Sequence, residues 1–182
     1  EVERILDELR RRVEEVVKEN EKALDTLRKE SERTEEENKR LLDEAREKVD
    51  RVVKELKRDD GPDVEELLRE IRTVLEDVKR RVEKSTREDK EVVKDVERLV
   101  RESSKDIRRV LKEVEEELRK TRDEKVLRDL AKKLEDVIRK SEELTKELAK
   151  RLRESSKRSI DLTRELLKRL EEVLKKVRDA LR

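Results

Sequence analysis

Few side chains in this chain could do chemistry. His, Cys, Met, Trp, Tyr and Phe are all absent, which removes the imidazole base, the thiolate nucleophile, the usual zinc ligands and any disulfide. Carboxylates, ammonium and guanidinium groups, hydroxyls and carboxamides remain. Most of the charged groups stand three or four residues apart, as in Glu14-Lys18 and Glu143-Glu147-Arg151. That is the spacing of solvated helix faces, where a pair contributes roughly a few tenths of a kcal/mol.

A smaller polar set stands apart from these faces. It comprises Asn20, Ser31, Thr34 and Asn38 in the first third of the chain, Ser85, Thr86, Asp89, Ser103 and Ser104 in the second, and Ser141, Thr145, Ser155, Ser156, Ser159 and Thr163 in the last. Helical periodicity puts all of them where Leu, Val or Ile otherwise recur. Hydroxyls with no His beside them and no Lys in the apolar stripe lack the base that activates a nucleophile, so no catalytic residue is assigned. A lone carboxylate, Asp89, among hydroxyls lacks the ligand set of a calcium site, so neither a metal nor a cofactor is expected. The chemistry left to the set is hydrogen bonding in an apolar setting. There an unpaired Asn, Ser or Thr costs about 1–3 kcal/mol, and such groups are tolerated only when they satisfy one another.

The elements that would position them can be read from spacing. At about 100° per residue, Val2, Leu6, Leu9, Val13, Val16, Asn20, Leu24 and Leu27 fall in one stripe about 120° wide, which continues through Leu42, Val49 and Leu56. A second stripe runs from Val64 to Leu118 and a third from Val126 to Leu181. The pattern recurs every 18 residues, five turns of a straight helix at 3.6 per turn, as in Leu130, Leu148 and Leu166 or Val74, Val92 and Val110. It predicts nearly straight helices about 85 Å long.

Asp60-Gly61-Pro62-Asp63 gives the first break: Gly at a helix C-terminus, Pro behind it, and Asp63 as N-cap with Glu66 three residues on. The second has no Gly. It rests on Thr121 or Asp123 as N-cap, with Thr121 and Glu124 as a capping box, and on phase, because an uninterrupted helix would turn the third stripe about 160° from the second. Helices over about 2–58, 63–120 and 124–181 joined by short turns predict an all-α, up-down-up antiparallel three-helix bundle, one domain over 1–182.

Antiparallel pairing then sorts the polar set into layers. Asn20 is expected to meet Ser103, Ser104, Ser141 and Thr145. Asn38 is expected to meet Ser85, Thr86, Ser159 and Thr163, with Ser31, Thr34, Asp89, Ser155 and Ser156 beside it. A slipped register or a wrong partner would leave these groups facing Val and Leu, so the layers would specify helix pairing.

With 54 basic and 53 acidic residues the net charge is +1, which gives no field to steer nucleic acid or an anionic membrane. No apolar run exceeds two residues, so neither a membrane span nor a targeting segment is expected. The matched stripes, the 18-residue repeat, the Gly-Pro turn, the absence of aromatics and the repeated polar layers together resemble de novo designed straight helical bundles with buried hydrogen-bond networks. The resemblance covers the whole chain. It implies a structural scaffold without enzymatic activity, a monomer that requires no partner. The alternative is a component of a designed homo- or hetero-oligomer, or a switch, that binds a further helix.

Overall fold

The computed structural model describes residues 2–59, 61 and 63–181. Three α-helices follow one another, α1 (Val2–Arg58), α2 (Val64–Lys120) and α3 (Glu124–Ala180), each of 57 residues. There is no strand among the described residues. The three helices pack against one another as a three-helix bundle, the outcome expected when one apolar stripe per helix must leave water. Each helix carries acidic residues in its first turn and basic ones in its last, among them Glu65 and Glu66 against Arg119 and Lys120 in α2, in the sense that complements the helix dipole.

The helix ends differ in detail from the sequence expectation. Asp59 N–H donates to the Leu56 carbonyl at 3.1 Å, a tight final turn that closes α1, and no described residue, Gly61 included, has a positive φ. Gly61 therefore does not cap α1 in the left-handed conformation that its sequence position suggests. A Cβ built there meets only Asp59 Oδ1 at 3.8 Å and Val64 Cγ2 at 3.9 Å. Asp60 and Pro62 of the expected turn lie outside the described residues. Asp63 stands at the N-cap position of α2, its carbonyl accepting the Leu67 N–H at 3.1 Å.

At the second break the choice falls on Asp123. Its Oδ1 accepts the Lys125 N–H at 3.1 Å and its carbonyl accepts that of Leu127 at 3.1 Å, the two bonds of an N-cap. Thr121 instead follows directly on the last residue of α2 and bonds back to it. Both its N–H and its hydroxyl donate to the Glu117 carbonyl, at 3.0 and 3.1 Å, so the capping box of Thr121 with Glu124 does not form. A hydroxyl one turn beyond a carbonyl near a helix end bonds that carbonyl more directly than it reaches forward.

The chain divides into two compact units, Glu1–Lys29 with Val92–Arg153, and Glu30–Glu91 with Glu154–Arg182. Each draws on all three helices. The core of the first unit comes in two clusters, one around Val13, Ile107, Leu134 and Ile138 and one around Leu24, Val96, Val100 and Leu152. The second unit has one cluster, centred on Val52, Leu56, Ile71, Val78 and Leu170. The residues named from these clusters are at most 2% exposed. Each Leu or Ile in such a position contributes about 1.5–3 kcal/mol relative to an exposed one.

Candidate functional site

Nine of the fifteen side chains of the polar set are buried and the other six, Thr86, Ser103, Ser104, Thr145, Ser155 and Ser156, are half-buried; most of them contact one another. In the first unit Asn20, 4% exposed, sits between the two apolar clusters. Its Nδ2 donates to Ser104 Oγ at 3.1 Å and to Ser141 Oγ at 3.4 Å. Its Oδ1 accepts the Thr145 hydroxyl at 3.1 Å. Ser103 donates to Ser141 at 2.6 Å. The five residues expected to meet do so, and they join α1, α2 and α3 in one network in which the carboxamide uses both donors and its acceptor.

The second unit repeats the arrangement one 18-residue period on. Asn38 Nδ2 donates to Thr86 Oγ1 at 3.2 Å and to Ser159 Oγ at 2.9 Å, and Ser85 donates to Ser159 at 2.8 Å. Thr86 passes its own proton to the Val82 carbonyl at 2.9 Å. Here the expectation fails at one residue. Thr163, one period after Thr145, donates to the Ser159 carbonyl of its own helix at 3.0 Å, and the buried Asn38 Oδ1 has no hydrogen-bond partner. Threonine in a helix has two favoured rotamers, one of which turns its hydroxyl onto the carbonyl four residues back.

The third cluster, also in the second unit, is built on Asp89, which is 3% exposed. Ser31 donates to its Oδ2 at 3.0 Å, Ser155 to its Oδ1 at 2.8 Å, and Ser156 to both oxygens at 3.1 and 3.3 Å. Carboxylate oxygens only accept, so three hydroxyls from two other helices are its natural complement. Hydrogen bonds to a charged group are worth about 1.5–3 kcal/mol each, and here they stand in for the lost water. Thr34, expected beside this cluster, bonds the Glu30 carbonyl of its own helix at 3.1 Å instead.

Interhelical ion pairs border the networks. Arg10 Nε donates to Glu115 at 2.8 Å and Lys90 lies 2.8 Å from Glu35. Arg28 pairs with Glu97, whose side chain is 22% exposed. The hydrogen bond from Arg28 holds the Glu97 carboxyl below the usual carboxylate range, against the opposing pull of partial burial, and the same bond raises Arg28. A lowered carboxyl stabilises the fold above its unfolded-state pKa, and that contribution is lost as pH falls through the folded value. Glu97→Gln is therefore expected to cost up to about 1 kcal/mol near neutral pH and progressively less as pH falls through the lowered folded pKa of Glu97, below which both proteins carry an uncharged side chain. Denaturation midpoints across that range measure it; a cost independent of pH would show that the charge contributes nothing.

No group of three or more His, Cys, Asp or Glu side chains that could hold a metal occurs among the described residues, and no helix of the described residues is long and apolar enough to cross a membrane. Shallow grooves exist. One of about 310 Å³ in the second unit has Asn38 and Thr86 among its lining residues, with Leu42 and Val82. Another of about 260 Å³ in the same unit lies between α1 and α3, over Leu41, Ala45, Leu167, Leu170 and Leu174.

Fold and site together define an all-helical three-helix bundle with an internal hydrogen-bond network of Asn, Ser, Thr and Asp. Comparison of the chain with protein-family models, with curated proteins and with solved structures finds no match.

Proposed function

We propose that this chain is a designed structural scaffold whose buried Asn, Ser and Thr layers specify which helices pair and in which register. The observation that carries the reading is the near-identity of the two carboxamide layers. Asn20 with Ser103, Ser104 and Ser141 and Asn38 with Ser85, Thr86 and Ser159 make the same three bonds one repeat apart. Polar groups retained in a core usually lower stability relative to well-packed apolar ones, and their best-attested return is uniqueness of pairing. The even composition, with 59% charged residues and no aromatics, supports a designed origin. The proposal includes no catalysis, cofactor, nucleic acid or membrane.

The second reading, a component that receives a further helix from another chain, draws on the apolar groove over Leu41, Leu167 and Leu174. Light scattering after size exclusion separates the two. The scaffold reading expects one species near 22.0 kDa with a single cooperative unfolding transition; a stable mass of two or more chains would replace it with the component reading.

A further inference from the structure

We infer that the groove over Ala45, between α1 and α3, is a binding site for a small anionic amphiphile, a short alkyl chain that ends in a carboxylate. The inference goes beyond the scaffold reading and does not depend on what the polar layers specify.

The apolar seat comes from an exchange of sizes between the two helices. Leu9, Leu27 and Ala45 hold the same position of the repeat on α1, and Ala131, Ala149 and Leu167 hold one on α3. Ala131 packs against the cluster that contains Leu9, and Ala149 against the one that contains Leu27, so a large buried residue goes with a small one at the edge. In the cluster of Ala45 the sizes are reversed, because its neighbour at the edge is Leu167. Ala45 is buried and Leu167 half-buried, which makes the small residue the floor and the large one a wall. Leu41 forms the opposite wall, and Leu170 and Leu174 complete the base.

Where leucine stands in the other two repeats, alanine leaves out an isopropyl group, and the groove above it holds about 260 Å³. Leucine walls give water there few hydrogen-bonding partners, so an alkyl chain that displaces it gains the free energy of apolar burial. The volume is below the roughly 300–1,000 Å³ of sites for drug-sized molecules, which limits the occupant to a short chain.

The rim sets the sign of the head group. Glu44, Lys48, Arg164, Lys168 and Glu171 border the groove, and both carboxylates are already engaged. Glu44 accepts a hydrogen bond from Arg40 at 2.6 Å, and Glu171 accepts one from Lys48 across the groove. Arg164 and Lys168, exposed and one turn apart on α3, form no ion pair among the described residues. Arg164 acts on Glu37 through space, but the hydrogen bond to that carboxylate comes from Arg40. The cations left over are complemented by an anion, and the planar guanidinium fork matches a carboxylate in particular. A cationic amphiphile would be repelled at the same rim.

Sodium octanoate is the probe and 1-octanol its uncharged counterpart, read on the leucine methyl resonances of the full-length protein. Octanoate is expected to shift the Leu41, Leu167 and Leu174 methyls saturably with a Kd on the order of 1 mM. Ala45→Leu, which restores the residue found at 9 and 27, is expected to abolish saturable shifts from both probes while helicity and a single-chain mass are kept; Ala45→Val serves the same purpose if leucine disturbs the packing. Arg164→Gln combined with Lys168→Gln is expected to weaken octanoate about three- to fivefold, the scale of exposed charge pairs, and to leave octanol unchanged. Absence of saturation by about 10 mM octanoate overturns the inference. Binding that survives both Ala45 variants overturns the seat, and a double variant that weakens both probes equally, or neither, overturns the anionic class. A mass of two or more chains with leucine methyls indifferent to octanoate would assign the groove to a further helix, which overturns it as well.

Discussion

Replacing Ser31, Ser155 and Ser156 by Val, Val and Ile while Asp89 is kept is expected to destabilise the fold by about 4 kcal/mol or more, and adding Asp89→Ile to the same chain is expected to restore at least the original stability. The three hydroxyls are the donors to this 3%-exposed carboxylate. Removing them deletes hydrogen bonds to a charged acceptor, each worth about 1.5–3 kcal/mol, and leaves the charge buried. The added methyl groups offset only part of that loss, at about 0.8 kcal/mol per buried carbon. The fourth substitution removes the charge and completes a layer of the composition found one repeat away at Ile71 and Ile107, Val13 and Val49, Val137 and Val173, and Ile138 and Leu174, most of which are buried in the apolar clusters. Replacement of a buried charged group and its partners by well-packed apolar residues is often neutral or stabilising. Guanidinium denaturation followed by far-ultraviolet circular dichroism reads both steps without aromatic chromophores. A triple variant within about 1 kcal/mol of the parent would mean that the hydroxyls do not sustain the carboxylate, and a failed rescue would locate the damage in packing rather than charge.

That cycle also bears on what the cluster is for. If the apolar version is as stable as the native one, stability does not account for a carboxylate and three hydroxyls at the centre of a Leu and Val bundle. Specificity of pairing, the role proposed for the layers, is then the property left to account for them. A device that excludes wrong pairings raises the free energy of alternatives and leaves the native state no more stable than an apolar core would.

The fold was legible because local and global signals agree. Val, Leu and Ile recur at a helical period over almost the whole chain, and their phase breaks where the helices α1 and α2 end. The layers were legible for a related reason. Residues such as Asn20, Ser104 and Ser141 fall at the same height once two short turns set antiparallel pairing, and a carboxamide surrounded by hydroxyls has few other partners. What the sequence left open is the choice of a hydroxyl between two acceptors of similar worth. Thr34, Thr121 and Thr163 each bond the helical carbonyl four residues back, whereas Thr145 crosses to Asn20. Both bonds are worth about 1 kcal/mol net, and a rotation about one torsion exchanges them. Gly61 is a comparable case, because its residue type permits a left-handed cap that a tight final turn at Asp59 makes unnecessary.

The Thr145 and Thr163 difference makes two layers of matching sequence unequal, and substitutions should expose it. Asn20 has all its hydrogen-bonding groups engaged, so Asn20→Leu loses three bonds and leaves the Thr145 hydroxyl without its acceptor. Asn38→Leu loses two bonds but also removes a buried carbonyl oxygen that has no partner, a group whose unpaired burial costs about 1–3 kcal/mol. Leu is accommodated at the equivalent position one repeat on, where Leu56 is fully buried. Asn38→Leu is therefore expected to cost about 1–3 kcal/mol less than Asn20→Leu, and to approach neutrality. The threonines give an independent check with smaller side chains. Thr145→Val orphans Asn20 Oδ1 and should be the more damaging, while Thr163→Val removes only a bond to its own helix. Shifts of the denaturation midpoint at constant slope measure all four. Equal costs at the two layers would show that Thr163 turns to Asn38 in solution, making the layers alike; an ordering with the Asn20 layer the more sensitive would place the unpaired oxygen of Asn38 in the folded protein.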